Sequence, residues 1–361
     1  MKKLLCFFLS TFSQFGWAEL EYQHQLVYEN LDRPWGMTFV GPRKILITEK
    51  GGQLKSLDIS QSRVTASAIS GLPDDIYSGG QGGLMDVKSA ANGWLYFTYS
   101  KASTKGRGAT TLARAKLAGQ QLEHWQDLLV TQSSTQTGRH FGSRIVLGGD
   151  GSLYFGVGDR GTRPNAQDLS NHMGAVLRVD MQGKPWPTNP FLSATAAKPE
   201  IFSYGHRNPQ GLAIDAQGQP WEIEHGPRGG DEINRLQAGK NYGWPITSHG
   251  REYSRDQMVG EAKIKSGIES PAKVYIPSIA PASLMIYSGK AFPQWRGQFF
   301  AGALVLTHLN RLALDQQGKL VEQERMFDDL AERVRHVVEG PKGNIYLLTD
   351  SGKLIKVSPP A

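Results

Sequence analysis

One strand–turn–strand pattern recurs six times along these 361 residues, and that repetition limits the fold more than any other feature. Each copy opens with an apolar run, turns at Gly, Asp or Asn, and continues into a second and a third β-rich run. The first runs lie at 35–39, 83–87, 143–147, 210–214, 283–287 and 335–339. The second runs lie at 44–49, 94–99, 153–159, 220–224, 298–302 and 345–349, and the third at 53–57, 111–115, 175–179, 231–236, 310–314 and 353–357. Alternating outer runs and almost uniformly apolar middle runs suit edge and buried strands respectively. Six such units, spaced at roughly 50 to 70 residues, predict an all-β chain folded as a six-bladed β-propeller. A four-stranded blade needs one further strand per unit, and residues 21–27 could close the ring by pairing with the last unit. No amphipathic helical pattern of convincing length interrupts the series. The 42 glycines show no collagen-like period and suit many tight turns. A pair of β-sandwiches would not account for six similar copies.

The N-terminus has the pattern of an export signal. Lys2 and Lys3 precede a short apolar region running to about Phe15, and Gly16-Trp17-Ala18 offers a small-residue cleavage site. The expected organisation is a signal peptide over 1–18 and a single propeller over 19–361, placed in the periplasm or secreted. The apolar run is too short and too interrupted to span a bilayer, and no later segment is apolar enough to do so. Cys6, the one cysteine, lies inside that signal. The mature chain therefore has no disulfide, no cysteine-bound zinc and no thiol nucleophile, which is compatible with an oxidising compartment. The formal charge of +7 falls by two once Lys2 and Lys3 are removed. Without a long basic run it argues against a nucleic-acid partner, and leaves a mildly basic surface or a positive cavity for an anion.

Polar residues gather where the units begin. Residues 203–212 place His206, Arg207 and Asn208 in sequence between glycine and proline, immediately ahead of a strand-like run. Polar groups on a stiff loop at the mouth of a sheet suit a binding site better than a core. His140 holds the corresponding position ahead of the third unit, Gln81 ahead of the second, and Arg333 and Arg335 at the sixth. In a propeller these residues would ring one channel mouth. His140 could act as a general base, since imidazole titrates near neutrality. Three guanidiniums and an amide favour an anionic, oxygen-rich ligand. No Gly-x-Ser-x-Gly nucleophile motif is present, and the glycine-rich turns open no helix that would bind a dinucleotide. A second constellation, residues 224–234 with 241–245, combines carboxylates with a Gly/Pro turn whose carbonyls suit Ca²⁺, although an acidic, solvated turn would read the same way.

These motifs together resemble the soluble PQQ-dependent aldose sugar dehydrogenases, the six-bladed group that includes the soluble glucose dehydrogenases. The resemblance runs from about Leu31 to Val357 and is carried by 80–84, 140–144, 204–212, 225–234, 241–245 and 333–335. It implies an enzyme that oxidises aldoses at the anomeric carbon to lactones, with PQQ and Ca²⁺ as cofactors and an electron acceptor that the sequence does not identify. In that likeness His140 takes the proton of the anomeric hydroxyl, and hydride passes to the C5 carbonyl carbon of PQQ. Arg207 and Asn208 contact the quinone oxygens, Gln81 contacts PQQ, and Arg333 and Arg335 neutralise its carboxylates. The carbonyls of Gly226 and Pro227 bind the Ca²⁺ that also chelates PQQ, and Glu232 and Tyr242 match positions of a further Ca²⁺.

The chain departs from that pattern in places. Arg139 stands where better-known members carry an aspartate beside the histidine, and its charge would lower the histidine's proton affinity. A lysine that contacts PQQ is replaced at about Val305. Short loops imply an open sugar site, a broad aldose range, and a monomer or weak dimer. Two other readings remain at this stage: a calcium-dependent propeller hydrolase of lactonase type, and a non-catalytic propeller that binds glycan or a partner.

Overall fold

The computed structural model describes residues 22–60, 63–104 and 106–360. The expected signal segment, with Cys6 and the cleavage site, lies outside them. Six four-stranded antiparallel sheets are arranged as blades around one axis. Blade I comprises Pro34–Phe39, Lys44–Glu49, Gln53–Asp58 and Ala66–Ile69; blade II comprises Leu84–Ser89, Leu95–Ser103, Gly106–Ala118 and Gln121–Val130. Blade III is Ile145–Leu147, Leu153–Val157, Ala175–Val179 and Ile201–Tyr204, and blade IV is Pro209–Ile214, Pro220–Glu224, Asp231–Arg235 and Lys273–Tyr275. Blade V is Pro281–Ile286, Phe299–Ala303, Leu309–Leu314 and Leu320–Met326. Blade VI takes Val334–Glu339, Ile345–Thr349 and Leu354–Ser358 from the C-terminus, and its outer strand, Gln23–Tyr28, from the other end of the chain. The ring therefore closes as the sequence predicts, with Gln23 opposite Ser358 and Tyr28 opposite Leu354. Among the described residues the only helices are short 3₁₀ turns, and none is long and apolar enough to cross a membrane.

The core lies between blades as well as within them. Val87, Leu95 and Phe97 of blade II pack on Leu46 and Leu54 of blade I. Phe300, Leu309 and Met326 of blade V pack on Val337, Ile345 and Leu347 of blade VI. Each middle strand is buried on both faces, which is why its sequence lacks polar alternation. The innermost strands converge so closely that some positions admit no side chain. A Cβ on Gly36 would lie 2.5 Å from an Asp86 carboxylate oxygen, and one on Gly211 would lie 2.4 Å from the Leu284 nitrogen.

Arg144 crosses the axis and joins all six blades. Standing just before the innermost strand of blade III, it donates to the carbonyls of Trp35 in blade I (2.9 Å), Gln210 in blade IV (3.2 Å), Ala282 in blade V (2.9 Å) and Arg335 in blade VI (2.8 Å). Its charge faces Asp86 of blade II at 3.4 Å. Asp86 in turn accepts the Ile145 N–H at 2.9 Å. A guanidinium offers five donors in a rigid fork, and here converging carbonyls meet them directly.

Candidate active site

Adjacent strands of a blade run antiparallel, so the start of each innermost strand and the end of each second strand meet at the same mouth of the channel. A cavity of about 400 Å³ opens there. The starts of the innermost strands supply Trp35, Gln81, Asn208 and Arg335; the ends of the second strands supply Lys50, His225, Leu304 and Asp350. The repeat pattern points to the first group only. The second group stands at the same register in successive units, directly after the middle apolar run, and that register is the signal by which it could have been found.

Of the residues expected at the site, Gln81, Asn208, Arg333 and Arg335 line this cavity. Arg335 bonds both oxygens of Asp350 (2.7 and 3.0 Å) and lies over the Trp35 ring at 4.3 Å from its centroid. Arg333 bonds Asp350 at 2.9 Å and the Leu304 carbonyl at 2.9 Å. Burial works to raise the Asp350 pKa, but the two guanidiniums hold it below the usual carboxylate range. Four cationic side chains, Arg33, Lys50, Arg333 and Arg335, thus line the cavity against one carboxylate. Lys50 was missed by the sequence reading, which looked for a cation near Val305; Val305 is instead 46% exposed. Burial, then the charges of Arg33 and Arg335, push the Lys50 pKa down.

His140 is buried beside the cavity in a left-handed conformation, φ 54°. Its N–H donates to Gln81 Oε1 at 2.7 Å, and Gln81 N–H donates to the Gly138 carbonyl at 2.8 Å, so Gln81 also fixes the histidine loop. His140 Nδ1 lies 2.6 Å from Asp159 Oδ1. Asp159 further accepts from Gly161 N–H (2.6 Å) and Trp244 Nε1–H (2.7 Å). Burial works to raise the Asp159 pKa, but the His140 contact and these donors hold it below its ordinary value. The His140 pKa is lowered, chiefly by burial, against the pull of Asp159 and with the help of Arg207. Arg139 adds to that lowering only in a minor way. His140 thus meets a carboxylate in space although Arg139 precedes it in the chain; Asp159 lies two residues past the second strand of blade III.

Arg207 and Asn208 are held by one carboxylate. Glu224 Oε2 accepts both backbone N–H groups, at 2.6 and 3.3 Å. Arg207 Nη1 donates to the His225 carbonyl at 3.2 Å, while its buried Nε has no partner. Asn208 Oδ1 accepts from Gly142 N–H and Gln210 Nε2, both at 3.2 Å. His225 donates Nε2–H to the Pro281 carbonyl at 2.6 Å, and burial pushes its pKa down to about 3, so it stays neutral. His206 differs from its expected place: it is fully buried and faces Glu222 and Glu224 instead of the cavity.

Gly226 and Pro227 form a tight turn behind Arg207. A Cβ on Gly226 would lie 2.3 Å from the Gly230 carbonyl oxygen. Asp231 braces the turn by accepting Gly226 N–H at 2.9 Å, and burial pushes its pKa up to about 6. Among the described residues, neither the Gly226 nor the Pro227 carbonyl accepts a hydrogen bond. Arg207, Gly226, Glu232 and Tyr242 also border a cleft with room for little more than one water or ion. Burial and the Glu224 charge push the Glu232 pKa well up. The Tyr242 hydroxyl is already engaged with the Arg235 carbonyl (2.6 Å) and the Gln237 N–H (2.9 Å), leaving its carbonyl as its available oxygen.

Residues 31–356 match the Glucose / Sorbosone dehydrogenase family. The chain belongs to that family. Among curated relatives of the glucose/sorbosone dehydrogenases, it is 36% identical over 347 residues to aldose sugar dehydrogenase YliI of Escherichia coli (strain K12), covering 93% of this chain and 92% of the relative. It is 26% identical over 427 aligned residues to quinoprotein glucose dehydrogenase B of Acinetobacter calcoaceticus, covering 94% and 88%. Among solved structures, the apo form of the soluble aldose sugar dehydrogenase of E. coli superposes with a TM-score of 0.89 at 34% identity, covering 94% of this chain and 100% of that one.

Proposed function

We propose that this member of the family is an exported PQQ- and Ca²⁺-dependent aldose dehydrogenase that oxidises the anomeric carbon to a lactone. The observation that carries the reading is the cavity itself, where four cationic side chains and one carboxylate give the excess of charge that suits a flat tricarboxylate. Trp35, Phe141 and Leu304 add apolar surface for its rings. The unpartnered Arg207 Nε is consistent with a missing oxygen ligand, as are the free carbonyls of Gly226 and Pro227 with a hard cation. Gln81, Asn208, Arg207, Arg333 and Arg335 would hold PQQ; Gly226 and Pro227 would hold one Ca²⁺, and Glu232 with the Tyr242 carbonyl another. Bound together, PQQ and Ca²⁺ supply a hydride acceptor polarised by a Lewis acid.

The residues of this chain supply the rest. The Asp159 carboxylate accepts Nδ1–H of His140 and so leaves the Nε2 lone pair as the base. Nε2 takes the anomeric hydroxyl proton as the carbon gives up its hydride, and the C–O bond becomes the lactone carbonyl. Arg207, fixed by Glu224 and by the His225 carbonyl, carries positive charge to where negative charge develops. Export rests on the N-terminal pattern of Lys2 to Ala18. The deciding experiment loads the purified protein with PQQ and Ca²⁺, adds aldoses without an electron acceptor, and follows absorbance. Reduction of the bound quinone by sugar is the expected result. Absence of PQQ binding would reject the reading.

A further inference from the structure

Blade IV carries a second polar cluster, behind the loop that presents Arg207. On its two middle strands Glu222 stands opposite Asn234, and Glu224 opposite Glu232. Alternation puts all four on one face of the sheet. His206, on the turn leading into the innermost strand, lies against that face. Its Nδ1 is 3.6 Å from Glu224 Oε1 and 3.8 Å from Glu222 Oε2.

The ring of His206 is fixed. Nε2 lies 2.9 Å from Ser203 Oγ, and Tyr242 stacks on the imidazole with centroids 4.8 Å apart and planes 20° apart. A Ser203 hydroxyl that accepts Nε2–H leaves a lone pair on Nδ1. That atom has no hydrogen-bond partner, and neither do Glu222 Oε1 nor Asn234 Oδ1, although all three residues are fully buried. Asn234 spends its Nδ2 on Glu222 (3.3 Å) and Glu224 (3.5 Å), which turns its oxygen into another unpaired acceptor. Among the described residues no lysine or arginine side chain forms an ion pair with Glu222 or Glu224. His206 Nδ1 and the two glutamate side chains thus bring lone pairs together without a cationic side chain to meet them.

We propose that His206 Nδ1, Glu222 and Glu224 form a structural site for a divalent transition-metal ion of the Zn²⁺ or Mn²⁺ class, beside Asn234, whose amide would have to turn over to present Oδ1. The ligand atoms of the first three lie within 4.8 Å of one another. Two of their separations, 3.6 and 3.8 Å, match the edges of a tetrahedron, about 3.3 to 3.8 Å for bonds of about 2.0 to 2.3 Å. An imidazole among oxygen donors favours such an ion over Ca²⁺, which takes six or more oxygens. The Nε2 contact to Ser203 is the outer hydrogen bond that orients a metal-binding histidine. The site adjoins the Glu232–Tyr242 pair, since Glu232 shares its face of the sheet and Tyr242 stacks on His206, but its ligands differ from that pair and from the Gly226–Pro227 carbonyls, and it does not depend on the PQQ reading. Its effect is positional. With Oε1 of Glu224 on the metal, Oε2 is set against the N–H groups of Arg207 and Asn208.

The test uses the full-length mature protein, treated with chelator and free of PQQ, titrated with Zn²⁺ and Mn²⁺ by calorimetry and followed by thermal melting. Wild type should bind one equivalent of at least one ion and melt at a higher temperature, while Glu222→Gln should lose at least tenfold in affinity and the melting shift. Crystals of wild type grown with the ion should give an anomalous peak between His206 and Glu222, a readout that does not require the variant to fold. A peak only elsewhere, no bound equivalent of either ion, or undiminished affinity in Glu222→Gln would each overturn the site.

Discussion

His140 Nδ1 and Asp159 Oδ1 are 2.6 Å apart, although 19 residues separate them in the chain. The contact fixes which nitrogen of the imidazole can act as a base. In the proposed reaction, His140→Ala keeps PQQ affinity and loses roughly 10²- to 10⁴-fold in turnover, the usual range for a general base. Asp159→Asn loses about tenfold or more in turnover with little change in PQQ binding. Stopped-flow reduction of bound quinone measures both.

The pH profile follows from the same pair. Burial and Arg207 hold the His140 pKa below its ordinary 6.5, so the neutral base survives below that pH. The acid limb of kcat/KM, which reports the free enzyme, should fall below pH 6.5. A limb at or above 6.5 would mean that a different group controls the rate.

Arg335 and Lys50 test the cavity's charge. Arg335→Ala removes a cation and leaves Asp350 neutralised by Arg333 alone, so PQQ affinity should drop more than tenfold, a cost above about 1.4 kcal/mol. Lys50→Ala should weaken PQQ binding as well, because Lys50 provides a cation that the chain lacks at Val305. Val305→Lys should not restore Lys50→Ala, since Val305 lies outside the cavity lining. Equilibrium titration of PQQ distinguishes these outcomes.

Calcium removal should abolish sugar-dependent reduction of the quinone, and Ca²⁺ should restore it. Persistence of the reaction after elemental analysis shows the ion has been stripped would reject the role given to the Gly226 and Pro227 carbonyls.

Much of this architecture is legible in the sequence because each blade repeats one pattern. All six innermost strands fall within two residues of the starts read from the repeats, and the closing strand, Gln23–Tyr28, overlaps residues 21–27, expected because a four-stranded blade needs one more strand. The site was half legible. Gln81, Asn208, Arg333 and Arg335 precede or open innermost strands, where a lone polar residue beside an apolar run stands out. Asp159, Lys50 and Asp350 follow second strands, inside Gly/Asp turns that look like ordinary connections. His206 misled for the opposite reason: next to Arg207 and Asn208 it reads as part of one polar triplet, yet the turn sends it to the far side of the loop, against Glu222 and Glu224. No linear pattern distinguishes the two directions.

Arg144 should matter more to stability than any surface ion pair. Arg144→Met leaves several carbonyls without donors and the buried Asp86 charge without its cation, though the Ile145 N–H still reaches one Asp86 oxygen; removing one partner of a buried pair costs about 3 to 5 kcal/mol. Urea denaturation should register a loss of that size.

The same arginine makes the propeller a cup with a floor. The upper cavity, where the proposed cofactor would sit, lies on one side of it, and a lower cleft that Arg144 itself lines lies on the other. In the proposed reaction, sugar and electron acceptor would approach through the upper mouth, and the lactone would depart before the acceptor takes its turn. The expected kinetic form is double displacement, with parallel lines in reciprocal plots when sugar and acceptor are varied together.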